Sequence, residues 1–424
     1  MKNEKAVKEY NISIRLDNRR KKDSGRYPIK LRVYGKITRK EKWYALDIDL
    51  LEADFIEIWQ NPNNKKFRGA KKELELKLKT IETRANEVAT EMTVFDFDKF
   101  ETKLFRKSSD KNNVKYHFNL TIDKNTKEGK IGTAESYKYT LNSLIDFSEN
   151  KKRCKADKLT FNIINVDWLK EYEAFMLSKN KSYTTIAIYT RTLRAVFNRA
   201  IESNDISIDI YPFGKNKYKI PRTKKVKKAL SNNELKILFN AEVLNDNQQK
   251  AKDFFFFSYT CNGMNFKDIA LLKYSDIKNG KFSYYRAKTF DKSAEKTEIT
   301  IYLTDFTKQV INKYGNKYKD GFVFDIINVS ESSTTQYNKI KNFTRHINEH
   351  LKKVAKLNGL PIDLSSYWAR HSFATNSLRK GASMEFISEA LNHSDLSVTK
   401  NYFAGFEDEA KKDFANSLLN FDNE

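Results

Sequence analysis

Residues 366–402 read SYWARHSFATNSLRKGASMEFISEALNHSDLSVTKNY, and three side chains in this stretch decide how the chain is read. Arg370 and His371 open an apolar-periodic run (Phe373, Ala374, Leu378) that predicts a helix. Gly381 stands where a helix C-terminus needs a residue tolerant of positive φ. A second helical run, Met384 to Leu391, stops at Asn392-His393-Ser394-Asp395, a cluster that favours a turn and a new N-cap. His393 is therefore expected at a helix boundary, and Tyr402 follows it after one short helical segment. Arg370, His393 and Tyr402 can converge.

The three groups suit chemistry at a phosphate. Arginine offers a planar fork that pairs bidentately with phosphate oxygens, histidine can donate to a third oxygen, and a tyrosine hydroxyl can attack phosphorus to form a covalent ester. The pattern R-H-x-F-A-T…L-x-H-x-x-x-x-x-T-x-x-Y resembles the tyrosine recombinase (phage integrase) family. The resemblance implies that Arg370 and His393 hold the phosphate and that Tyr402 is the nucleophile that becomes linked to a DNA 3′-phosphate. The family's H-x-x-R motif begins here with Tyr367 instead of histidine. A phenol can hydrogen-bond a phosphate, but with an unperturbed pKa of about 10 it is a poor proton acceptor at neutral pH. The identity of the general base stays open.

Composition agrees with a polyanionic partner. The 424 residues carry 79 Lys and Arg against 55 Asp and Glu, a formal net charge of +24, which points to nucleic acid first. A hydrophobic fraction of 39% with 13% aromatics supports real cores, and the length suits about two to four domains. No apolar run reaches the ~18 residues of a membrane span, and the start MKNEKAVKEY lacks a hydrophobic signal core, so no membrane partner and a cytoplasmic location are expected. Cys154 and Cys261 stand far apart without C-x-x-C or histidine spacing, which argues against a disulfide framework and a metal site.

From the N-terminus, Ile12, Ile14 and Leu16 alternate, a charged turn follows, Ile29, Leu31 and Val33 alternate with Lys30, Arg32 and Tyr34, and a third run spans Ile37 to Ile48. This predicts a small antiparallel sheet with one apolar and one basic face. Residues 1–40 hold fourteen Lys or Arg and four Asp or Glu. A helix from Lys71 to Met92, with Leu74, Leu78, Ile81, Ala85 and Val88 on one stripe, completes a module of residues 1–92. The module resembles the arm-binding domain of integrases, which implies that Lys30 and Arg32 contact DNA; a basic sheet face can enter a major groove.

Residues 93–214 read as a helical domain, with helices expected over Ala134–Asn150 (Thr133 as cap, Tyr137, Leu141, Leu144 and Phe147 inward), Val166–Leu177 and Thr184–Glu202. It resembles the family's core-binding domain. That resemblance implies phosphate contacts from Lys181 and Arg191, although such charges also suit a solvated helix face. The segment 215–228, KNKYKIPRTKKVKK, has eight Lys or Arg among fourteen residues and no acid, so self-repulsion favours extension. It resembles an interdomain linker, with Lys224, Lys225, Lys227 and Lys228 meeting DNA.

Residues 229–424 form the expected catalytic domain, which opens on a capping Ser231 or Asn232. Asp253 to Thr260 reads as a buried aromatic helix. The family pattern T-G-x-R-x-x-E/D then meets Cys261-Asn262-Gly263-Met264-Asn265-Phe266-Lys267-Asp268, so Asn265 replaces the first phosphate-binding arginine. Asparagine donates a neutral hydrogen bond but lacks the charged fork, and Lys267 and Arg286 are both candidates to replace the missing cation. Lys281 to Lys288 alternates in β fashion and pairs with Glu298 to Leu303 as a hairpin. The family's hairpin lysine falls on Lys288, the implied general acid, with Lys292 a DNA contact at the tip. After Tyr402, Phe403, Phe406, Ala410, Phe414 and Leu418 share a helical stripe that suits docking on a neighbouring subunit.

The expected fold is multidomain and mainly α with small β-sheets: an N-terminal antiparallel-sheet module, a helical core-binding domain and a mixed α+β catalytic domain. The resemblance implies a site-specific recombinase that integrates or excises a mobile element through a 3′-phosphotyrosine. It further implies double-stranded DNA with core and arm sites as partner, a tetramer on DNA, and accessory bending or directionality proteins. The resemblance also implies that no cofactor is required, because a phosphotyrosine would conserve the bond energy. A type IB topoisomerase-like nicking-closing enzyme and a catalytically silent DNA-binding relative are the alternatives.

Overall fold

The computed structural model describes residues 9–60, 67–92, 94–222, 228–290, 296–392, 395–400, 411–412 and 415–416. By compactness the chain divides into two units, Met1–Val114 with Thr160–Asn162 and Arg199–Ile210, and Lys115–Leu159 with Ile163–Asn198 and Tyr211–Glu424.

The first unit contains an antiparallel sheet of β1 (Tyr10–Leu16), β2 (Tyr27–Gly35) and β3 (Lys40–Leu50) in that order. The register sets Ile14 opposite Leu31 and Ile12 opposite Val33, so the alternating apolar residues share a face. That face is closed by α1 (Gly69–Thr90) and α2 (Phe97–Leu104), through Leu78, Ala85, Val88 and Phe100. Asp96 caps α2 by accepting from the Lys99 N–H. Strand β3 begins at Lys40, later than the run from Ile37 suggests, because Ile37 lies in the preceding turn and is largely exposed.

The basic face is more self-occupied than its composition suggests. Asp17, 2% exposed, takes Lys30 Nζ at 2.7 Å and Arg19 Nε at 2.9 Å. Arg32 pairs with Glu41 at 2.7 Å and lies over the Tyr34 ring.

The second unit contains α3 (Val114–Lys127) from Lys115 on, α4 (Ile131–Asn150), α5 (Val166–Ser178) and α6 (Tyr183–Glu202) as far as Asn198. Phe147 packs edge-on against Trp168 and Tyr172, which explains the inward placement of α4 and α5. Helix α4 starts at Ile131 with Lys130 at the N-cap and no side-chain cap, so Thr133 lies inside the helix and is not its cap. The turn at Gly129 (φ 70°), not a capping hydroxyl, sets where this helix begins.

The remainder contains α7 (Asn232–Phe239), α8 (Asp246–Thr260), α9 (Phe266–Leu271), a sheet of β4 (Ile277–Lys278), β5 (Lys281–Tyr284) and β6 (Ile299–Tyr302), then α10 (Asp305–Tyr314), α11 (Ser333–Leu357), α12 (Ser366–Arg379), α13 (Met384–Ala390) and α14 (Leu396–Lys400). Ser231 and Glu234 form a reciprocal capping box at the head of α7. Phe254, Phe255 and Phe257 of α8 are buried at the centre of the core, against Phe324, Ile347 and Leu351 among others. Strand β5 stops at Tyr284, so Lys288 lies in a turn beyond the strand. Ala287 N–H donates to the Asp268 carboxylate at 3.0 Å instead of continuing the ladder.

The Lys30 ammonium, and after it Arg19, hold the Asp17 carboxyl well below the usual carboxylate range. A depressed carboxyl stabilises the fold above its unfolded pKa of about 3.9, and that contribution fades as pH falls below it. Asp17→Asn should therefore cost the sheet unit about 1–3 kcal/mol at neutral pH, the scale of a lost buried acceptor. Hydrogen exchange of residues 9–50 is the measurement, and the gap between parent and variant should narrow toward pH 2. Equal protection at pH 7 would contradict this role for Asp17.

Candidate active site

Arg370 is 1% exposed and among the largest fully buried side chains. Its Nη1 donates to Gly263 O at 3.1 Å and its Nη2 to Leu391 O at 2.6 Å. Each carbonyl is delivered by a chain reversal. After α8, Asn262 (φ 55°) and Gly263 (φ 66°) turn the backbone, and Met264 N–H and O both bond to Ser258, at 3.2 and 2.7 Å. After α13, Asn392 turns with φ 49°, a conformation asparagine tolerates better than most residues. Gly381 (φ 91°) ends α12 in the expected way.

Arg370, Tyr367, Ser366, Asn265, Lys267 and Thr344 are among the residues lining one cleft of about 330 Å³. Asn265 is the N-cap residue of α9, but its side chain makes no capping bond. It turns instead to Asp268, which is 5% exposed. Burial pushes the Asp268 carboxyl up, and the opposing influences are the Ala287 N–H, the charges of Arg286 and Arg370, and the Asn265 hydrogen bond. Arg286 is 7% exposed, and among the described residues its buried Nε has no hydrogen-bond partner. Tyr367 is 48% exposed at the start of α12, its ring edge-on to His371 at 4.8 Å.

Of the residues singled out from sequence, Asn265, Lys267, Tyr367 and Arg370 thus share the cleft, and Arg286 is not among its lining residues. Lys288 is exposed beside it in sequence to Arg286 but is not among the lining residues. Lys181 and Arg191 are exposed. Lys228 pairs with Asp363 at 2.7 Å. His393, Tyr402, Lys224, Lys225, Lys227, Lys292 and the apolar stripe after Tyr402 lie outside the described residues. Asp268 and Gly263 hold fixed places in the T-G-x-R-x-x-E/D pattern, and in the structure both act on Arg370, one through its charge and the other through its carbonyl. Among the described residues no group of three or more His, Cys, Asp or Glu is arranged to hold a metal ion, and no helix is long and apolar enough to cross a membrane.

A buried guanidinium lining a cleft with an exposed lysine, an amide and a phenol has the donors to pair with phosphate oxygens. Comparison with known proteins gives the class. The phage integrase SAM-like domain matches residues 113–220, and the phage integrase family matches residues 228–409. The chain belongs to the tyrosine recombinase, or phage integrase, family and is a site-specific DNA recombinase. Tyrosine recombinase XerC of Pediococcus pentosaceus is 26% identical over 255 residues, 58% of this chain and 79% of that protein. XerC of Rickettsia canadensis is 44% identical over 55 residues, 13% of this chain and 18% of that protein. Among solved structures, the Tn1549 transposon integrase in complex with transposon right end DNA overlaps with a TM-score of 0.49 at 17% identity, covering 72% of this chain and 99% of that one. XerH recombinase bound to palindromic difH substrate overlaps with a TM-score of 0.48 at 17% identity, covering 68% and 80%.

The contact between Gly263 and Arg370 leaves no room for a side chain. A Cβ at position 263 would lie 2.7 Å from Arg370 Cα and 2.9 Å from its Cγ, on a backbone with φ +66°. Gly263→Ala is expected to destabilise the chain by about 1–3 kcal/mol through backbone strain and overpacking, and to slow DNA cleavage by displacing Arg370. Thermal denaturation and single-turnover cleavage check this together; parental values in both would show that the turn can yield.

Proposed function

We propose that this recombinase integrates and excises a mobile element by transient covalent attachment to DNA, with Tyr402 as nucleophile. The Tyr402 oxygen attacks phosphorus, a tyrosyl–phosphate bond forms on the 3′ side, and the P–O5′ bond breaks. The departing 5′-oxygen takes a proton from Lys288, and the phenol proton passes to a base whose identity stays open. A 5′-hydroxyl from the partner duplex then attacks the phosphotyrosine and restores the diester. Arg370 and His393 hold the phosphate oxygens, with Asn265 and Tyr367 as neutral donors. Arg286 supplies the second cation in place of the arginine absent at position 265.

The observation that carries this reading is the buried Arg370 guanidinium, fixed by two carbonyls and lining the same cleft as Asn265 and Tyr367. For Arg286, the support is its burial with an unpartnered Nε beside the Asp268 carboxylate that Arg370 also influences. Lys267 lines the cleft but is exposed, so water screens its charge more than it screens the buried Arg286. We assign residues 1–92 to arm-site binding, 93–214 to the core-binding domain, 215–228 to the linker and 229–424 to catalysis. On DNA four copies assemble at synapsis with accessory bending proteins, and Lys30, Arg32, Lys181, Arg191, Lys224, Lys225, Lys227, Lys228 and Lys292 contribute phosphate contacts. Lys30 and Arg32 would first have to leave Asp17 and Glu41.

Trapping on nicked suicide DNA tests the nucleophile: Tyr402→Phe should bind with parental affinity and form no covalent adduct, and an adduct in that variant would move the nucleophile elsewhere.

The second cation is tested by the same assay on folded, DNA-bound protein. Arg286→Ala should slow cleavage on the scale of a lost transition-state donor, about 3 kcal/mol. Asn265→Ala should cost about 1–2 kcal/mol, the scale of a neutral hydrogen bond. Lys267→Ala should cost less than either. A larger loss with Lys267→Ala would transfer the role to that residue.

A further inference from the structure

The catalytic part of the chain begins where residues 228–230 emerge from the basic segment, and these residues are fastened to the helix that carries Arg370. The Leu230 N–H donates to Ser372 Oγ at 2.9 Å, and Asn376 Nδ2 donates to Leu230 O at 2.9 Å. Leu230, Ser372 and Asn376 are each 0% exposed. Two residues earlier, Lys228 Nζ reaches Asp363 at 2.7 Å and lies 5.9 Å from the centre of the Trp368 ring.

Both backbone groups of one buried residue are therefore satisfied by side chains of α12, and by no strand or helix ladder. Such groups are costly to leave unpaired, so the first fixed point of the domain moves with α12. Ser372 follows Arg370 by two residues on the same helix, and Arg370 is itself held by hydrogen bonds to the Gly263 and Leu391 carbonyls. Phosphate recognition by a guanidinium fork is sensitive to displacement, and misplacing a reacting group by 1 Å can cost about a hundredfold in rate.

We propose that Ser372 and Asn376 are positioning residues that couple the interdomain segment to Arg370, so that the path taken by the segment on DNA sets the placement of the guanidinium. The proposal rests on Arg370 as the phosphate-binding arginine. Its consequence is that DNA engaged upstream of residue 228 changes the cleavage rate without adding a contact at the phosphate.

The test uses the full chain on nicked core DNA, with affinity and single-turnover adduct formation measured separately. Three proteins are compared with the parent: Ser372→Ala, an insertion of four glycines between Thr223 and Lys224, and the two combined. Each single change should slow adduct formation about tenfold or more. Affinity should stay within about twofold, and the combined change should be no slower than the slower single change, because both break the same coupling. Ser372→Thr, which keeps the hydroxyl, should recover most of the rate. If Ser372→Ala does not fold, Asp363→Asn serves instead; its side chain is largely exposed, and it releases Lys228 without touching the core. Parental rates in the single variants, or losses that multiply in the combined one, overturn the coupling while leaving the role of Arg370 intact. Failure of the parent itself to form an adduct that Tyr402→Phe abolishes would overturn both.

Discussion

A guanidinium with 1% exposure must be given back the hydrogen bonds it loses to water, and the catalytic part of this chain is arranged around that requirement for Arg370. Gly263 supplies one carbonyl from the turn after α8, and Leu391 supplies another from the end of α13. Both lie where a helix has just stopped, which is where backbone carbonyls without an intrahelical partner are found. This links two local oddities to one cause. Asn262, Gly263 and Asn392 have positive φ because the backbone must reverse at those points to leave a carbonyl turned toward the arginine.

The same reasoning extends to the hairpin. Asp268 is a buried carboxylate, and its ionised form depends on the positive charges of Arg286 and Arg370 and on donors from Asn265 and Ala287. Strand β5 ends at Tyr284, opposite Ile299 at the start of β6, and three residues on, the Ala287 N–H is taken by Asp268. Arg286 and Lys288 are carried on the turn that this contact creates, with Phe290 and Thr289 N–H groups closing it onto Arg286 O.

What could be read in the sequence was local. Gly381 at the end of α12, a cap at Ser231 or Asn232 and the alternation of Ile29, Leu31 and Val33 each depend on residues within a few positions, and the structure shows each, with Ser231 as the cap. Lys30 shows the limit. Composition placed it on a basic face, but Asp17, thirteen residues away, holds its ammonium. Thr133 looked like a cap because hydroxyls often are, whereas a glycine turn upstream begins the helix. Asp268 went unremarked for a related reason: its importance comes from Arg286, Ala287 and Arg370, and spacing along the chain does not reveal which of these a carboxylate will meet. The pairing of Leu230 with Ser372 and Asn376 spans more than 140 positions and has no sequence signature at all.

Asn265 can now be understood electrostatically. One carboxylate, Asp268, already faces the guanidiniums of Arg286 and Arg370. An arginine at position 265 would bring a third cation against the same buried acid, and like charges in a low-dielectric setting repel strongly. Asparagine keeps the hydrogen bond to Asp268 without that repulsion. On the proposal that Arg286 is the second cation, the charge missing at position 265 is carried instead by a residue that acts on the same Asp268 carboxyl.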